Sequence, residues 1–262
     1  MYNFDFVKPA TVDEAVKALA DDEAQALGGG QTLIPTLKQR LASPSKLVSL
    51  TGIAEMKGVS KQGDAVVIGG GTTHRTVAEE AASAYPGLAD LASRIGDPAV
   101  RNRGTIGGSL ANNDPSACYP AAALGSGATI VTNSREIAAD DYFQGMFTTA
   151  LEEGEIITEV RFPIPQKSAY AKIAQPASRF PLVAVFVAQY ADGVRVAVTG
   201  ASNNGVFRWS EAEAALSGNF AADALDGLTV ASDDMIGDLH GTAAYRAHLV
   251  GVMAKRAVAA AS

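Results

Sequence analysis

Two glycine-rich segments of this sequence have the composition of phosphate-binding loops. The first, Gly28-Gly29-Gly30-Gln31-Thr32, follows a strand-like segment and precedes a predicted helix that begins at Leu33. Glycine has no side chain, so its backbone N–H groups can approach a phosphate closely and its φ angle can be positive. A helix N-terminus behind the loop adds partial positive charge, and Thr32 adds a hydroxyl donor.

The second segment, Thr105-Ile106-Gly107-Gly108-Ser109, lies among small polar residues. It follows Arg101-Asn102-Arg103-Gly104 and precedes Leu110-Ala111-Asn112-Asn113-Asp114-Pro115. Such a stretch contributes little to a hydrophobic core, whereas its polar groups suit a diphosphate and a ribityl chain. Taken alone, each glycine run is equally compatible with a plain tight turn, because glycine is the usual turn residue.

The spacing of the glycines disfavours two common nucleotide-binding folds. Gly28-x-Gly30-x-x-Leu33 and Gly69-x-Gly71-x-x-His74 both lack the last glycine of the dinucleotide fingerprint G-x-G-x-x-G. The sequence contains no G-x-x-x-x-G-K-[ST] motif either. A dinucleotide Rossmann fold and a P-loop are therefore not expected.

Charge and residue counts exclude further classes. The net charge is −7 and the pI is about 5.0, so no nucleic-acid partner is expected. The single cysteine, Cys118, cannot form an internal disulfide or supply the roughly four ligands of an iron–sulfur cluster. His74, His240 and His248 are not at metal-ligand spacing, so no metal in this chain is expected. No Ser-His-Asp set or carboxylate pair indicates a catalytic residue.

The N-terminus lacks the basic-then-apolar pattern of a signal peptide, and no stretch reaches the roughly 18 apolar residues of a membrane span. The sequence therefore predicts a cytoplasmic protein without a membrane span.

The elements that position the glycine segments are predicted from apolar spacing and capping residues. Thr11-Val12-Asp13-Glu14 has the form of a capping box that opens a helix. Pro44 and Gly96 are expected to end later helices. Helices are predicted over residues 11–20, 33–41 and 86–95, and strands over 25–27, 46–50, 65–68, 128–132 and 156–162.

Beyond Pro163 and Pro165 the pattern changes, which indicates a domain boundary. Two apolar runs, 183–190 and 194–201, are joined by Ala191-Asp192-Gly193 and predict a β-hairpin. Ser210-Glu211-Ala212-Glu213 has the form of a second capping box, and a helix is predicted from it to about Gly218. The alanine-rich tail predicts a helix over 242–259.

Together these segments resemble the FAD-binding medium subunits of the molybdenum hydroxylases, and most closely the carbon monoxide dehydrogenase medium-subunit family. The resemblance covers nearly the whole chain, and the block that ends in Thr105–Ser109 is its most specific part. The matching segments are Leu27–Pro35, Ile68–His74, Ile95–Ala111, Glu155–Pro163 and the region of Lys172.

The resemblance implies an α+β fold in two parts. Residues 1–165 are expected to form a FAD-binding domain of the vanillyl-alcohol-oxidase (PCMH) type, with two lobes of roughly 1–55 and 56–165. Residues 166–262 are expected to form a small C-terminal domain, an antiparallel sheet with helices, of the carbon monoxide dehydrogenase flavoprotein type. The boundary near Pro163 agrees with this division.

By the same resemblance, the two glycine segments bracket one FAD per chain. Ile95 and Ile157 match positions that contact the cofactor, Lys172 matches a lysine near the flavin edge, and Tyr190 matches an aromatic residue near the isoalloxazine. The implied cofactor-binding residues are Gly28, Gly29, Gly30, Gln31, Thr32, Leu33, Ile95, Thr105, Ile106, Gly107, Gly108, Ser109, Asp114, Ile157 and Lys172.

One position departs from the family pattern. Cys118 stands where the family often has an aspartate that contacts the FAD. Either Asp114 compensates or the contact is absent here. Cys118 is interpreted as a small buried residue rather than a redox nucleophile.

The resemblance also implies a function and partners. The FAD is expected to accept electrons from [2Fe-2S] clusters on a small subunit and to pass them to an external acceptor. A large subunit with a molybdenum–pterin centre is expected to oxidise the substrate, which is carbon monoxide by overall likeness, within a dimer of heterotrimers. The alternatives are an aldehyde, purine, N-heterocycle or aromatic thioester as substrate of the complex, a stand-alone flavin oxidase, and a non-enzymatic nucleotide-binding subunit.

Overall fold

The computed structural model describes residues 1–261, which form three main sheets with helices packed between and around them. The helices are α1 (Val12–Leu19), α2 (Leu33–Lys38), α3 (His74–Glu80), α4 (Pro86–Ser93), α5 (Pro98–Arg101), α6 (Ile106–Asn112), α7 (Tyr119–Ser126), α8 (Ala139–Tyr142), α9 (Ser210–Gly218) and α10 (Ala243–Ala260). The strands are β1 (Asp5–Val7), β2 (Ala24–Leu27), β3 (Lys46–Ser49), β4 (Val59–Gln62), β5 (Ala65–Gly69), β6 (Thr129–Thr132), β7 (Glu136–Ala138), β8 (Phe143–Gly145), β9 (Thr148–Thr149), β10 (Ile157–Pro163), β11 (Lys167–Ala174), β12 (Pro181–Tyr190), β13 (Gly193–Ser202) and β14 (Gly205–Arg208).

The first sheet is small and parallel, in the order β1-β3-β2. The capping box predicted at its first helix is present: the Thr11 hydroxyl accepts a bond from the Glu14 N–H, and the Glu14 carboxylate accepts one from Ala10. The first bond satisfies an N–H group that an α-helix leaves unpaired at its start, and the second ties the Glu14 side chain to the residue before the cap. The helix packs its Ala15 and Leu19 side chains against the sheet and so fixes the strand that leads into the first glycine segment.

The second sheet has five antiparallel strands in the order β4-β5-β10-β6-β7. Its central strands bury Val66, Ile68, Val160 and Phe162 completely. Helix α6, which carries the second glycine segment, packs on β10. The apolar alternation of these strands therefore sets the position of the segment.

The third sheet has four antiparallel strands in the order β11-β12-β13-β14. Both of its faces are buried, because Ala184 and Phe186 of β12 join the core beneath α7, whereas Val183 and Val185 join a second core beneath α10. A strand buried on both faces has a continuous apolar sequence, which accounts for the two apolar runs of the predicted hairpin.

Most predicted elements are present with shifted ends, and two predictions about helix ends are wrong. Helix α2 ends at Lys38, well before Pro44, and Arg40 beyond it has a positive φ of 61°. Helix α9 has no side-chain cap, because Trp209 rather than Ser210 is its N-cap residue. The Glu213 side chain accepts hydrogen bonds from Arg208 and from the Val196 N–H.

The three sheets occupy successive parts of the chain, within residues 5–49, 59–163 and 167–208. Helix α7 contacts β12, β13 and β14, and α4 contacts β11, so one core extends from the second sheet to the inner face of the third. The boundary at residues 165/166 stays a prediction.

Candidate functional site

The first glycine segment leaves several backbone donors free. Within residues 1–261 the N–H groups of Gly29, Gly30, Gln31 and Thr32 donate no hydrogen bond, and Thr32 does not cap α2 with its side chain. Gly30 has φ +71°, a left-handed conformation that glycine adopts without strain. Consecutive unpaired N–H groups form a natural site for an anionic oxygen.

The second glycine segment uses its own donors within the protein. Ile106 N–H bonds the Thr72 carbonyl oxygen at 3.1 Å, Gly107 N–H bonds that of Gly70 at 2.9 Å, and Gly108 N–H bonds the Thr105 hydroxyl at 3.2 Å. Gly108 is nevertheless exposed and Ser109 half-buried. This segment therefore offers a bare backbone surface and the Ser109 hydroxyl, in contrast to the free N–H groups of the first.

The loops approach so closely that side chains would not fit between them. A Cβ atom on Gly29 would lie 1.9 Å from the Arg103 carbonyl oxygen, and one on Gly28 would lie 2.9 Å from the Thr105 hydroxyl. A third loop, Gly69–Gly71, lies behind the second, and a Cβ on Gly70 would lie 2.1 Å from the Ile157 carbonyl oxygen. All three glycine runs of the sequence therefore meet at one place.

A cavity of about 580 Å³ opens between these loops. Its size falls within the range of roughly 300–1,000 Å³ that is usual for ligand and cofactor sites. Most of the predicted cofactor-binding residues line it, namely Gly28, Gly29, Gly30, Gln31, Thr32, Leu33, Ile95, Thr105, Gly107, Gly108, Ser109, Asp114 and Ile157.

Two predicted site residues lie outside the cavity lining. Ile106 is fully buried in the core behind the second glycine segment. Lys172 lies behind Cys118, with its Nζ atom 3.7 Å from the Cys118 Sγ atom. Cys118 itself lines the cavity and is buried, and this burial raises the pKa of its thiol, although Lys172 opposes the shift. Burial is the larger effect, so the thiol is protonated near neutral pH rather than a reactive thiolate.

Asp114 is a half-buried carboxyl group of the lining. Burial raises its pKa, and a hydrogen bond of 2.8 Å from the Ser116 backbone N–H opposes this shift. A carboxyl group in this position can accept hydrogen bonds from ligand hydroxyl groups.

His74 is a lining residue that the sequence analysis did not select. It is buried, and its Nδ1 atom has no hydrogen-bond partner within residues 1–261. Burial, with a contribution from the positive charge of Arg101, lowers its pKa to about 4, so the imidazole is neutral near pH 7. Its ring packs at a tilt against Tyr119, with 5.3 Å between ring centroids.

The C-terminal part of the chain closes one side of the cavity. Arg179 and Phe180, in the turn between β11 and β12, line it, and the Phe180 side chain is 46% exposed. Tyr190, the aromatic residue expected near the isoalloxazine, does not line it and bonds the carbonyl oxygens of Ser126 and Pro163 instead. Phe180 and Tyr190 lie at opposite ends of β12, about 30 Å apart at the usual strand rise.

Comparison with known proteins identifies the family. Residues 2–165 match the family described as FAD binding domain in molybdopterin dehydrogenase. This chain belongs to that family. The FAD-binding medium subunit of a molybdenum hydroxylase, predicted from the sequence, is thereby confirmed, and the cofactor of the chain is FAD.

Relatives of this FAD-binding family cover nearly the whole chain. The carbon monoxide dehydrogenase medium chain of Afipia carboxidovorans is 34% identical over 98% of this chain and 96% of its own. The nicotine 6-hydroxylase medium subunit of Paenarthrobacter nicotinovorans is also 34% identical, over 97% of this chain and 95% of its own. These relatives make the chain an oxidoreductase subunit of the molybdenum hydroxylase class.

Solved structures confirm the predicted α+β fold. A chain of carbon monoxide dehydrogenase from Hydrogenophaga pseudoflava superposes with a TM-score of 0.89 and 33% identity, over 99% of this chain and 97% of its own. A chain of quinoline 2-oxidoreductase from Pseudomonas putida superposes with a TM-score of 0.86 and 29% identity, over 98% and 96%. Across residues 1–261, none of the helices has the length and hydropathy needed to span a bilayer.

Proposed function

We propose that this chain carries electrons within a molybdenum hydroxylase complex, taking them from [2Fe-2S] clusters on a small subunit and passing them to an external acceptor. A large subunit holds the molybdenum–pterin centre and oxidises the substrate, and the assembly is a cytoplasmic dimer of heterotrimers. The observation that carries this proposal is the cavity between the glycine loops, which most of the predicted FAD-binding residues line.

The donor set of the cavity fits FAD. The free N–H groups of Gly29 to Thr32 suit the pyrophosphate, whose oxygens are anionic acceptors. The Ser109 hydroxyl and the Asp114 carboxyl suit the ribityl hydroxyls, and Ile95, Ile157 and Phe180 provide apolar contacts for ring systems. The proposal includes the FAD-binding residues predicted from the sequence. It also includes residues 1–165 as the FAD-binding domain and residues 166–262 as the C-terminal domain.

When bound, FAD supplies one- and two-electron redox chemistry that no side chain of the cavity offers. The chain itself binds, orients and shields the cofactor. His74 stays neutral because it is buried, so it adds no charge to the cavity wall near neutral pH. The Glu155 carboxylate, another lining group, is held by Arg135 at 2.9 Å.

Carbon monoxide is the proposed substrate of the complex. The relative named carbon monoxide dehydrogenase medium chain spans nearly all of this chain. A second candidate substrate class is an N-heterocycle, because the relative named nicotine 6-hydroxylase medium subunit has the same 34% identity. In this proposal the substrate binds the large subunit, so both substrate classes are offered to the complex in the experiment below.

The experiment purifies this chain alone and together with its small and large partner subunits, and records flavin absorption. Anaerobic carbon monoxide or an N-heterocycle is then added to each preparation. We expect the complex to contain FAD. One of the two substrates should reduce this FAD and so remove its absorption, but only in the preparation that contains the small subunit. Absence of FAD in both preparations would refute the proposal. Turnover by the isolated chain would instead support the stand-alone oxidase.

A further inference from the structure

The Lys172 ammonium group is surrounded by neutral acceptors. Its Nζ atom donates to the carbonyl oxygen of Arg94 at 2.6 Å and to that of Arg179 at 3.0 Å, and it lies 3.7 Å from the Cys118 Sγ atom. An ammonium group has three N–H donors. These three contacts account for all of them, and none involves a carboxylate.

Other charges near Lys172 do not offset it. Arg94 is paired with Asp90 at 3.0 Å, so those two side chains together are neutral. The Cys118 thiol is protonated near pH 7, because burial raises its pKa. Arg179, whose backbone accepts one of the Lys172 bonds, adds a further positive side chain at the cavity wall. Lys172 and Arg179 therefore bring two positive side chains to this end of the cavity.

The position of Lys172 gives that charge access to the cavity. Two of its three contact residues, Cys118 and Arg179, line the cavity, so the ammonium group lies one side chain behind the wall. A charge that is not paired and is partly removed from water acts over several ångströms with less screening than a surface ion pair.

We propose that Lys172, left without a carboxylate partner by Cys118, raises the reduction potential of the bound FAD by stabilising the negative charge that reduction adds to it. This inference rests on FAD occupying the cavity as proposed above, with its isoalloxazine ring at the end that Cys118 and Arg179 line. Cys118 then matters because it is neutral at a position 3.7 Å from the ammonium group.

The test compares four variants of the full chain within its complex. Cys118→Asp places a carboxylate beside Lys172, and Lys172→Gln removes the positive charge. Cys118→Ser and Lys172→Arg are the matched controls, because each keeps the charge of the residue that it replaces. FAD content is measured first, from acid-released flavin, and the FAD midpoint potential is then measured by spectroelectrochemical titration.

We expect lower potentials in Cys118→Asp and Lys172→Gln, and potentials near wild type in both controls. The dissociation constant for sulfite, an anion whose adduct with flavins is favoured by nearby positive charge, should rise about tenfold in the first two variants. Unchanged potentials in those variants at full FAD content, or an equal fall in Cys118→Ser, would overturn the inference. If Cys118→Asp does not fold, the difference in FAD potential between Lys172→Gln and Lys172→Arg tests the inference. Absence of FAD from the wild-type complex would count against the proposed function instead.

Discussion

The backbone N–H of Gly107 donates a hydrogen bond of 2.9 Å to the carbonyl oxygen of Gly70, which joins the second and third glycine loops directly. A Cβ atom on Gly107 would lie 2.6 Å from that same oxygen. The loop that contains Gly107 is therefore held from behind, while its neighbour Gly108 faces the cavity.

This difference between adjacent glycines predicts different effects on stability. Gly107→Ala forces the two loops apart and should lower the free energy of unfolding by about 1–3 kcal/mol, as overpacking usually does. Gly108→Ala meets only the Thr105 hydroxyl, at 3.0 Å, and should cost clearly less. Urea denaturation of both variants measures the difference. Equal losses would show that the Gly107–Gly70 contact does not support the fold.

Gly29→Ala should weaken FAD binding. Its Cβ atom would lie 1.9 Å from the Arg103 carbonyl oxygen, so the segment with the free N–H groups has to move. We expect the FAD dissociation constant to rise roughly tenfold or more, the effect of losing one hydrogen bond to a charged group. Gly218→Ala is the control, since no atom lies within 4 Å of its added Cβ. Flavin fluorescence titration measures both, and similar affinities would contradict the placement of the pyrophosphate.

His74 should make stability depend on pH below neutrality. Its pKa is about 4 in the folded protein and 6.5 when unperturbed, so between these values the unfolded chain binds a proton that the folded chain does not. Stability should therefore fall, by up to about 3 kcal/mol, as the pH drops from 6.5 to 4. His74→Asn should flatten the dependence in this window, whereas His248→Asn, at an exposed position, should not. Unfolding curves at several pH values test this, and identical slopes in both variants would exclude His74 as the cause.

Glu155 should govern a second window at lower pH. Mainly through its hydrogen bond with Arg135, its pKa is lowered from 4.5 to about 2. The stabilisation is then complete above pH 4.5 and is lost as the pH falls towards 2. Glu155→Gln should remove this pH dependence. Glu152→Gln, whose side chain is 77% exposed and 3.5 Å from Arg135, should retain it. Acid unfolding followed by circular dichroism distinguishes the two.

The helix caps show how far local sequence predicts local structure. The box at Thr11 formed because both of its partners lie within the same turn. The one at Ser210 is absent because Trp209 is the N-cap residue and because Arg208 and the backbone of β13 bind the Glu213 carboxylate. The buried N–H group that needs an acceptor is that of Val196 in β13, so no sequence pattern around Ser210 could indicate that it would bind Glu213.

The part of the site that consists of glycine runs and family motifs could be predicted from the sequence. Gly70 and Gly71 lie in a segment that resembles the family, but no cofactor role was predicted for them, whereas the fold brings them beside the cavity. Phe180 lies in a turn with no distinctive spacing, whereas Tyr190 was favoured because the family resemblance implied an aromatic residue at that end of the hairpin. Which end of β12 lies at the cavity follows from how the third sheet packs on the rest of the chain, for example through α7, and such tertiary contacts leave no local sequence pattern.

The wall that Phe180 and Arg179 contribute has a consequence for assembly of the holoprotein. The first glycine segment and this turn are separated by about 150 residues of sequence, yet both border the same cavity. FAD that binds only the completed cavity stabilises the native state in proportion to its concentration relative to its dissociation constant. Cofactor supply and folding of the C-terminal sheet are then thermodynamically linked, and a shortage of flavin lowers the amount of folded subunit available to its partners.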